Sequence, residues 1–298
     1  MKTDFYNRLT IIVPVFNGER FLRQALNSLI KTNARIIVSD DGSTDNTRDI
    51  CNEYKDNIEY KFHENIGQIR TLNMEWALAD TEYLSYLNCD DLWPNEMYTS
   101  DAIEFLDSNS EFVMVTPNEL IIDKNSKIIK KVNLDQANPY EAIVKKRCNV
   151  SPGVIFRRKY LSKWDSNYRL FADVLFYAQL LSNGKSKLMK NYFSSFRSHD
   201  GSYAFSERGP HIWFGLGGAI RKKFKDGIID DIHRNEAVAW NIALIAREHL
   251  LIGNLKRFLK LLVLSFKVVQ KKTKPLLDLT IFFTKTLLRK ITLITYNS

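Results

Sequence analysis

Two short polar runs hold the residues of this chain best suited to chemistry. Asp40-Asp41 leads into Gly42-Ser43, and Asn88-Cys89-Asp90-Asp91 leads into Leu92-Trp93-Pro94. Neighbouring carboxylates repel, and at a crevice they are tolerated only where a cation or several hydrogen-bond donors face them. Each run therefore implies a bound metal ion or a donor-rich ligand.

Regular elements must carry these runs to one place. Residues 9–15 are rich in β-branched side chains and read as a buried strand, closed by Pro14 and Asn17-Gly18. Phe21, Leu22, Ala25, Leu26, Leu29 and Ile30 then form one apolar stripe at helical spacing. Residues 35–39 are a second strand that runs into Asp40, and Ser43-Thr44-Asp45 supplies N-cap chemistry for a helix to about residue 54. A third strand over 58–62, a third helix containing 72–79 and a fourth strand over 83–87 complete a β-α-β-α-β-α-β series. That alternation predicts an α/β fold, a mainly parallel sheet with helices on both faces. Ligands bind beyond the carboxyl ends of such strands, here residues 14–17, 40–43, 63–67 and 88–91, so both acidic runs fall where a ligand is expected. Past Pro94 the pattern loosens. Residues 120–122 and 128–132, joined by Asp123-Lys124-Asn125-Ser126, read as a hairpin. A short basic helix over 140–147, a strand over 153–157 and a helix over 170–181 follow, with no internal repeat.

Composition narrows the class. The chain has 298 residues, 45% apolar and 26% charged, which excludes disordered, collagenous and coiled-coil readings. Cys51, Cys89 and Cys148 share no metal-ligand spacing and cannot build a disulfide framework, so a reducing compartment is expected. The polar N-terminus runs directly into a strand, and no secretory signal is expected. The net charge of +9 is entirely C-terminal: residues 251–298 hold ten basic residues and one acid, Asp278. A nucleic-acid-binding surface would spread its charge over the folded domain, and no nucleic-acid partner is expected.

Taken together, Thr10-Ile-Ile-Val-Pro-Val-Phe-Asn17, Ile37-Val-Ser-Asp-Asp-Gly-Ser-Thr-Asp45-Asn-Thr47, Asn65-x-Gly67 and Leu87-Asn-Cys-Asp-Asp91-Leu-Trp-Pro94 resemble the inverting glycosyltransferases of family 2, of bacterial cell-surface polysaccharide type, over roughly residues 8–205. The resemblance implies a GT-A (Rossmann-like) catalytic domain over 1–205, with a nucleotide-binding half to about residue 95 and an acceptor half beyond it. It also implies transfer from a nucleotide diphosphate donor, UDP-linked, to an acceptor hydroxyl of a surface polysaccharide or lipid-linked glycan. Mn²⁺ or Mg²⁺ is the implied cofactor, because the leaving diphosphate concentrates negative charge. Pro14, Val15, Phe16, Asn17, Glu19, Asp40, Asp41, Asn65, Gly67, Arg70, Asn88, Cys89 and Asp90 fall on nucleotide-binding positions, with Asn73 on the same loop and helix start. Asp90, Asp91 and His199, the last in Arg197-Ser-His-Asp-Gly-Ser202, fall on metal-binding positions. Asp173 is the implied general base, Ala172 standing where the family often has Glu. Asn88 replaces the first acid of the metal motif and brings no charge, so weaker metal binding is expected. Ser151-Pro152-Gly153 resembles the floor of the acceptor site, and Trp93 is suited either to stacking on a sugar or to the core.

The same fold leaves two rivals: a nucleotidyltransferase, whose glycine-rich basic loop after the first strand is missing here, and a non-catalytic sugar-nucleotide-binding scaffold, which the Asn88 and Ala172 departures would suit. The region 206–298 reads as helical and ends in a basic amphipathic tail. Leu255, Phe258, Leu259, Leu262, Phe266 and Val269 form one stripe beside Lys256, Lys260, Lys267 and Lys271. No apolar run reaches the ~18–20 residues that span a bilayer. Residues 251–298 are therefore expected to rest on an anionic membrane, peripherally at the cytoplasmic face; packing on the catalytic domain or in a homodimer is the competing reading.

Overall fold

A computed structural model describes residues 5–132, 152–164, 166, 172–199 and 255–269, and singly 239, 242, 243, 246, 250 and 280. The chain divides into two compact units. The first comprises residues 1–138, 149–172 and 179–206, the second 139–148, 173–178 and 207–298.

The first unit follows the expected alternation: β1 (Phe5–Val15), α1 (Leu22–Leu29), β2 (Ala34–Asp40), α2 (Thr47–Glu53), β3 (Glu59–Phe62), α3 (Gln68–Leu78) and β4 (Tyr83–Tyr86). Next come α4 (Glu96–Ser108), β5 (Phe112–Ile122), β6 (Ile128–Val132), β7 (Ile155–Arg157) and β8 (Lys185–Arg197); between β7 and β8 the chain forms α5 (Ala172–Leu181), whose residues 173–178 belong to the second unit. The strands form one sheet in the order β3-β2-β1-β4-β7-β5-β6, with β8 off this path and paired along β5 from Phe112 to Ile122. β1 pairs in parallel with β2 and β4, and β2 with β3. β7 runs antiparallel to β4 and β5, as β6 does to β5, whereas β8 runs parallel to β5. The sheet is thus mainly parallel, with an antiparallel insertion between β4 and β5.

Period-two alternation in β1 explains the two layers. Leu9, Ile11, Val13 and Val15 join one core with Leu22, Leu26 and Leu29 of α1, Ile50 of α2 and Tyr98, Ala102 and Leu106 of α4. On α3, Trp76 meets Tyr86, Phe156 and Trp164 edge-on at centroid distances of 5.9, 5.5 and 5.5 Å. Asn73 fastens that layer, its amide exchanging two 2.8 Å hydrogen bonds with the backbone of Trp164.

Two long elements were not anticipated. α4 starts at an Asn95 cap whose side chain accepts from the Met97 amide, and buries Tyr98, Thr99, Ala102, Ile103 and Leu106. β8 spans 13 residues, and its intermediate and exposed positions obscure the strand period. The expected helix over 140–147 lies outside the described residues.

In the second unit, α6 (Leu255–Val269) packs Phe258, Leu261, Leu262 and Phe266 against Ala239, Ala243, Ala246 and Leu250. Leu255, Leu259, Val263 and Leu264 are exposed. The single stripe read from the sequence is therefore divided between a packed face and an open one. Among the described residues no helix is long and apolar enough to cross a membrane.

Candidate active site

The carboxyl ends of β1 and β2 and the loop before α3 converge. The Asp41 amide donates to the Val15 carbonyl at 2.8 Å, extending the parallel ladder past the strands. Asp40 is buried; one oxygen accepts from the Ser43 amide at 2.8 Å and the other from the Tyr60 hydroxyl at 2.7 Å. Asp41 is buried too, its oxygens accepting from the Ile66 and Gly67 amides at 2.6 and 2.9 Å. Protein donors thus satisfy oxygens of both acids, and His63 Nδ1 lies 3.5 Å from Asp41 Oδ1. Behind it runs a polar chain: Lys61 donates to Glu75, Ser39 donates to Glu75, and His63 Nε2 lies 3.2 Å from Ser39 Oγ. Gly42 has φ +83°, and a Cβ there would meet the Asn65 amide nitrogen at 3.0 Å. Glycine therefore lets the 40–43 turn lie against the 63–67 loop.

Around this cradle Pro14 and Val15 are buried, while the Phe16 ring is 52% exposed. Asn65 and Arg70 are exposed as well. Asn17 and Glu19 instead join two loops. The Asn17 amide donates to Ser43 Oγ, its side-chain oxygen accepts from the Thr44 amide, and Glu19 accepts from the Asn46 amide and side chain.

The second acidic run follows β4, and its members have different surroundings. Asp91 is fully buried, one oxygen accepting from the Arg197 amide and the other from Asn88 Nδ2, both at 2.9 Å. Burial, then repulsion from Asp90, pushes its carboxyl well above the usual range. Asn88 Oδ1 accepts from Gln68 Nε2 at 2.7 Å, so both ends of that amide are engaged. Asp90 is half-buried, and its Oδ2 lies 3.0 Å from His199 Nε2. Cys89 packs beneath Gly18, and burial pushes its thiol up, away from nucleophilic chemistry.

Arg197 is the residue that sequence reasoning missed. Fully buried at the end of β8, it donates through Nε to the Asp90 carbonyl at 2.7 Å. Its other nitrogens reach the Asp123 carbonyl, Ser126 Oγ and Gln24 Oε1, and its guanidinium lies 4.6 Å from the Phe21 ring centroid. The only sequence signal was a cation two residues before His199, at the end of a strand carrying Phe193 and Phe196. Arg197 and His199 together hold the Asp90 loop by its carbonyl and its carboxylate.

Among the described residues no group of three or more His, Cys, Asp or Glu side chains could hold a metal ion. Asp90 and His199 nevertheless suit one: Mg²⁺ and Mn²⁺ bound with phosphates take few protein ligands and complete their shells from substrate and water.

Trp93 belongs to the core, its Nε1 donating to Thr99 Oγ1 at 3.1 Å. Gly153, at φ +93°, sits where a Cβ would meet Pro94 Cδ at 3.1 Å, and its carbonyl accepts from the Tyr98 hydroxyl at 2.7 Å. Asp173 occupies the first turn of α5, in a stretch assigned to the second unit. Ser151 lies outside the described residues.

Known proteins share this sequence pattern and fold. The family model described as glycosyl transferase family 2 matches residues 10–164. An uncharacterized glycosyltransferase of Rickettsia typhi is 37% identical over 142 residues, 46% of this chain and 44% of that protein. The minor teichoic acid biosynthesis protein GgaA of Bacillus subtilis is 27% identical over 198 residues, 59% of this chain and 44% of that protein. The chain thus matches less than half the length of these two relatives. Among solved structures, residues 1–349 of S. aureus TarS in complex with UDP-GlcNAc align with TM-score 0.65 at 17% identity, covering 88% of this chain and 81% of that one. A mannosyltransferase of Pyrobaculum calidifontis in complex with GDP-Man and Mn²⁺ aligns with TM-score 0.54 at 14% identity, covering 95% and 87%. With the family's motifs at the strand ends and its model matched over more than half of the sequence, the chain belongs to glycosyl transferase family 2.

Proposed function

We propose that this protein transfers a sugar from a UDP-linked donor to an acceptor hydroxyl, with inversion, in the synthesis of a surface polysaccharide or lipid-linked glycan. The observation that carries the reading is the division of labour after β4: Asp91 is consumed by the fold, while Asp90 and His199 face each other 3.0 Å apart beside the nucleotide cradle. The base would stack on Phe16 and donate its imide N–H to Asp41, whose oxygens each keep a second lone pair. Arg70 would meet the phosphates. Asp90 and His199 would hold Mn²⁺ or Mg²⁺, which when bound offsets charge on the leaving diphosphate. Asp91 and Arg197 keep that loop in place from within the protein. Asp173, at a helix start that matches the family's base position, is the proposed general base for the acceptor hydroxyl. UDP-GlcNAc in one structural neighbour and GDP-Man with Mn²⁺ in another support a nucleotide-sugar donor and a divalent ion.

The test is calorimetry of UDP-sugars with and without Mn²⁺, beside a transfer assay. Wild type should bind UDP more tightly with Mn²⁺. Asp90→Asn should lose that difference while unfolding at the wild-type temperature, and Asp173→Asn should bind donor normally but turn over at least ~100-fold more slowly. Equal UDP affinity with and without metal in the wild type would refute the metal assignment.

The exposed face of α6 supports peripheral contact with an anionic membrane, the cytoplasmic face being part of the proposal. Leu259, Val263 and Leu264 lie there among Lys256, Arg257 and Lys260, with no acid between them. Basic amphipathic helices of this kind bind anionic bilayers.

A further inference from the structure

The β5–β6 hairpin of the first unit carries a second surface of the same chemistry, remote in sequence from the tail. Its register slips by one residue between Ile121 and Ile122: Ile121 pairs with Lys130, but Ile122 pairs with Ile128. Ile128 and Ile129 therefore stand opposite one partner residue as a bulge, and bulges re-aim side chains. Both isoleucines are open to solvent, at 57% and 60%. Lys124, Lys127, Lys130 and Lys131 surround them and are exposed, Lys131 with its ammonium 4.2 Å from the Phe193 ring centroid. The one acid of the turn, Asp123, is spent internally, accepting from the Asn125 and Lys127 amides at 2.8 and 2.9 Å.

Lysines and a bulge also protect an edge strand from pairing with another chain, and charge alone would suffice for that. Two adjacent exposed isoleucines work against such protection and, ringed by lysines, suit a partner that is apolar beneath an anionic surface. We propose that this hairpin inserts Ile128 and Ile129 into an anionic lipid bilayer while its lysines meet the headgroups. The geometry then joins the bilayer to the candidate active site. Arg197 binds the Asp123 carbonyl and Ser126 Oγ of the turn, and through Nε the carbonyl of Asp90. Ser126 Oγ also donates to Gln24 Oε1 of α1 at 2.9 Å. A hairpin seated on a membrane would hold the Asp90 loop at a set height above it, suited to an acceptor carried on lipid.

The proposal does not depend on the donor or the transfer reaction, and its test uses neither. A nitroxide attached to Ile129→Cys in the full chain reports its surroundings through collision with oxygen, which favours lipid, and with a nickel chelate, which favours water. Wild-type protein put through the same labelling gives the background from native cysteines. With phosphatidylglycerol vesicles, oxygen accessibility should rise and nickel accessibility fall; with phosphatidylcholine vesicles neither should change. A label that stays in water while the protein sediments with anionic vesicles would show that the tail binds alone and would overturn the proposal. Immobilisation of the label without vesicles, as the protein is concentrated, would assign the surface to a second copy and overturn it as well. Replacing Lys124, Lys127 and Lys130 with Gln should weaken partitioning onto phosphatidylglycerol at least ~10-fold while leaving thermal unfolding unchanged. Undiminished partitioning of that variant would remove the electrostatic half of the argument.

Discussion

Asn88, Asp90 and Asp91 share one turn and have three different surroundings. Asn88 stands where the family motif has an acid, and its amide donates to Asp91 while accepting from Gln68. An aspartate at 88 would instead set two carboxylates against each other at a buried site. Asn88→Asp should therefore destabilise the fold by about 1–3 kcal/mol, the cost of an unsatisfied buried group. Thermal melts at pH 8 and pH 5 check this, because protonation at the lower pH should restore part of the loss. A second residue-scale prediction concerns Glu119 on β5, whose carboxyl burial pushes up to about 7 from 4.5. Between those values the native protein keeps a proton that the unfolded chain has released. That contribution favours the fold below about pH 4.5 and is progressively lost as the pH rises through about 7. Wild-type Tm should accordingly fall from pH 5 to pH 8 by more than that of Glu119→Gln. Parallel profiles for the two proteins would show that burial does not act on this carboxyl.

At the scale of elements, the site is built by close approach of loops from different strands. The 40–43 turn and the 63–67 loop touch because Gly42 has no side chain. Gly42→Ala would combine a left-handed φ with a methyl group against the Asn65 amide nitrogen, and should cost more than about 1 kcal/mol. It should also weaken UDP binding, since Asp41 holds the Ile66 and Gly67 amides of the displaced loop. Isothermal titration with UDP, beside a melt, separates the two effects; unaltered UDP affinity in a destabilised variant would place the loop outside the nucleotide cradle. Helix α4 shows what periodicity alone conveys. Its buried positions recur at 98, 99, 102, 103 and 106, behind an Asn cap, yet Pro94 and the irregular turn before it mask the start. β8 was harder to read because its partner β5 leaves many of its side chains only partly covered, and a strand without one clean buried face lacks a clean period.

At the scale of the whole molecule, the chain's excess positive charge lies in its last 48 residues, and the exposed half of α6 presents part of it. Phe258, Leu262 and Phe266 are occupied in packing, so deleting the tail would also expose Ala239, Ala243 and Ala246. Replacing Leu259, Val263 and Leu264 with Ser is the cleaner experiment. Flotation with phosphatidylglycerol vesicles should drop at least ~10-fold at unchanged Tm, because burial of three aliphatic side chains is lost while the packed face is kept. Full flotation of the triple variant would exclude this face of α6 as the anchor.

Local rules sufficed for the parallel half of the fold. Strand and helix periods, a proline and glycines at strand ends, and paired acids just beyond them suffice to place Asp40, Asp41, Asp90 and Asp91 at the carboxyl edge of a parallel sheet. Those signals are legible because each depends on neighbours within a few residues. Which carboxylate the fold buries and satisfies was not legible in this way. Asp91 is satisfied by the backbone of Arg197, 106 positions further on, and Asp90 faces His199, 109 positions away. The Asp90–Asp91 pair looks symmetric along the chain; burial and donors arriving from β8 make it unequal.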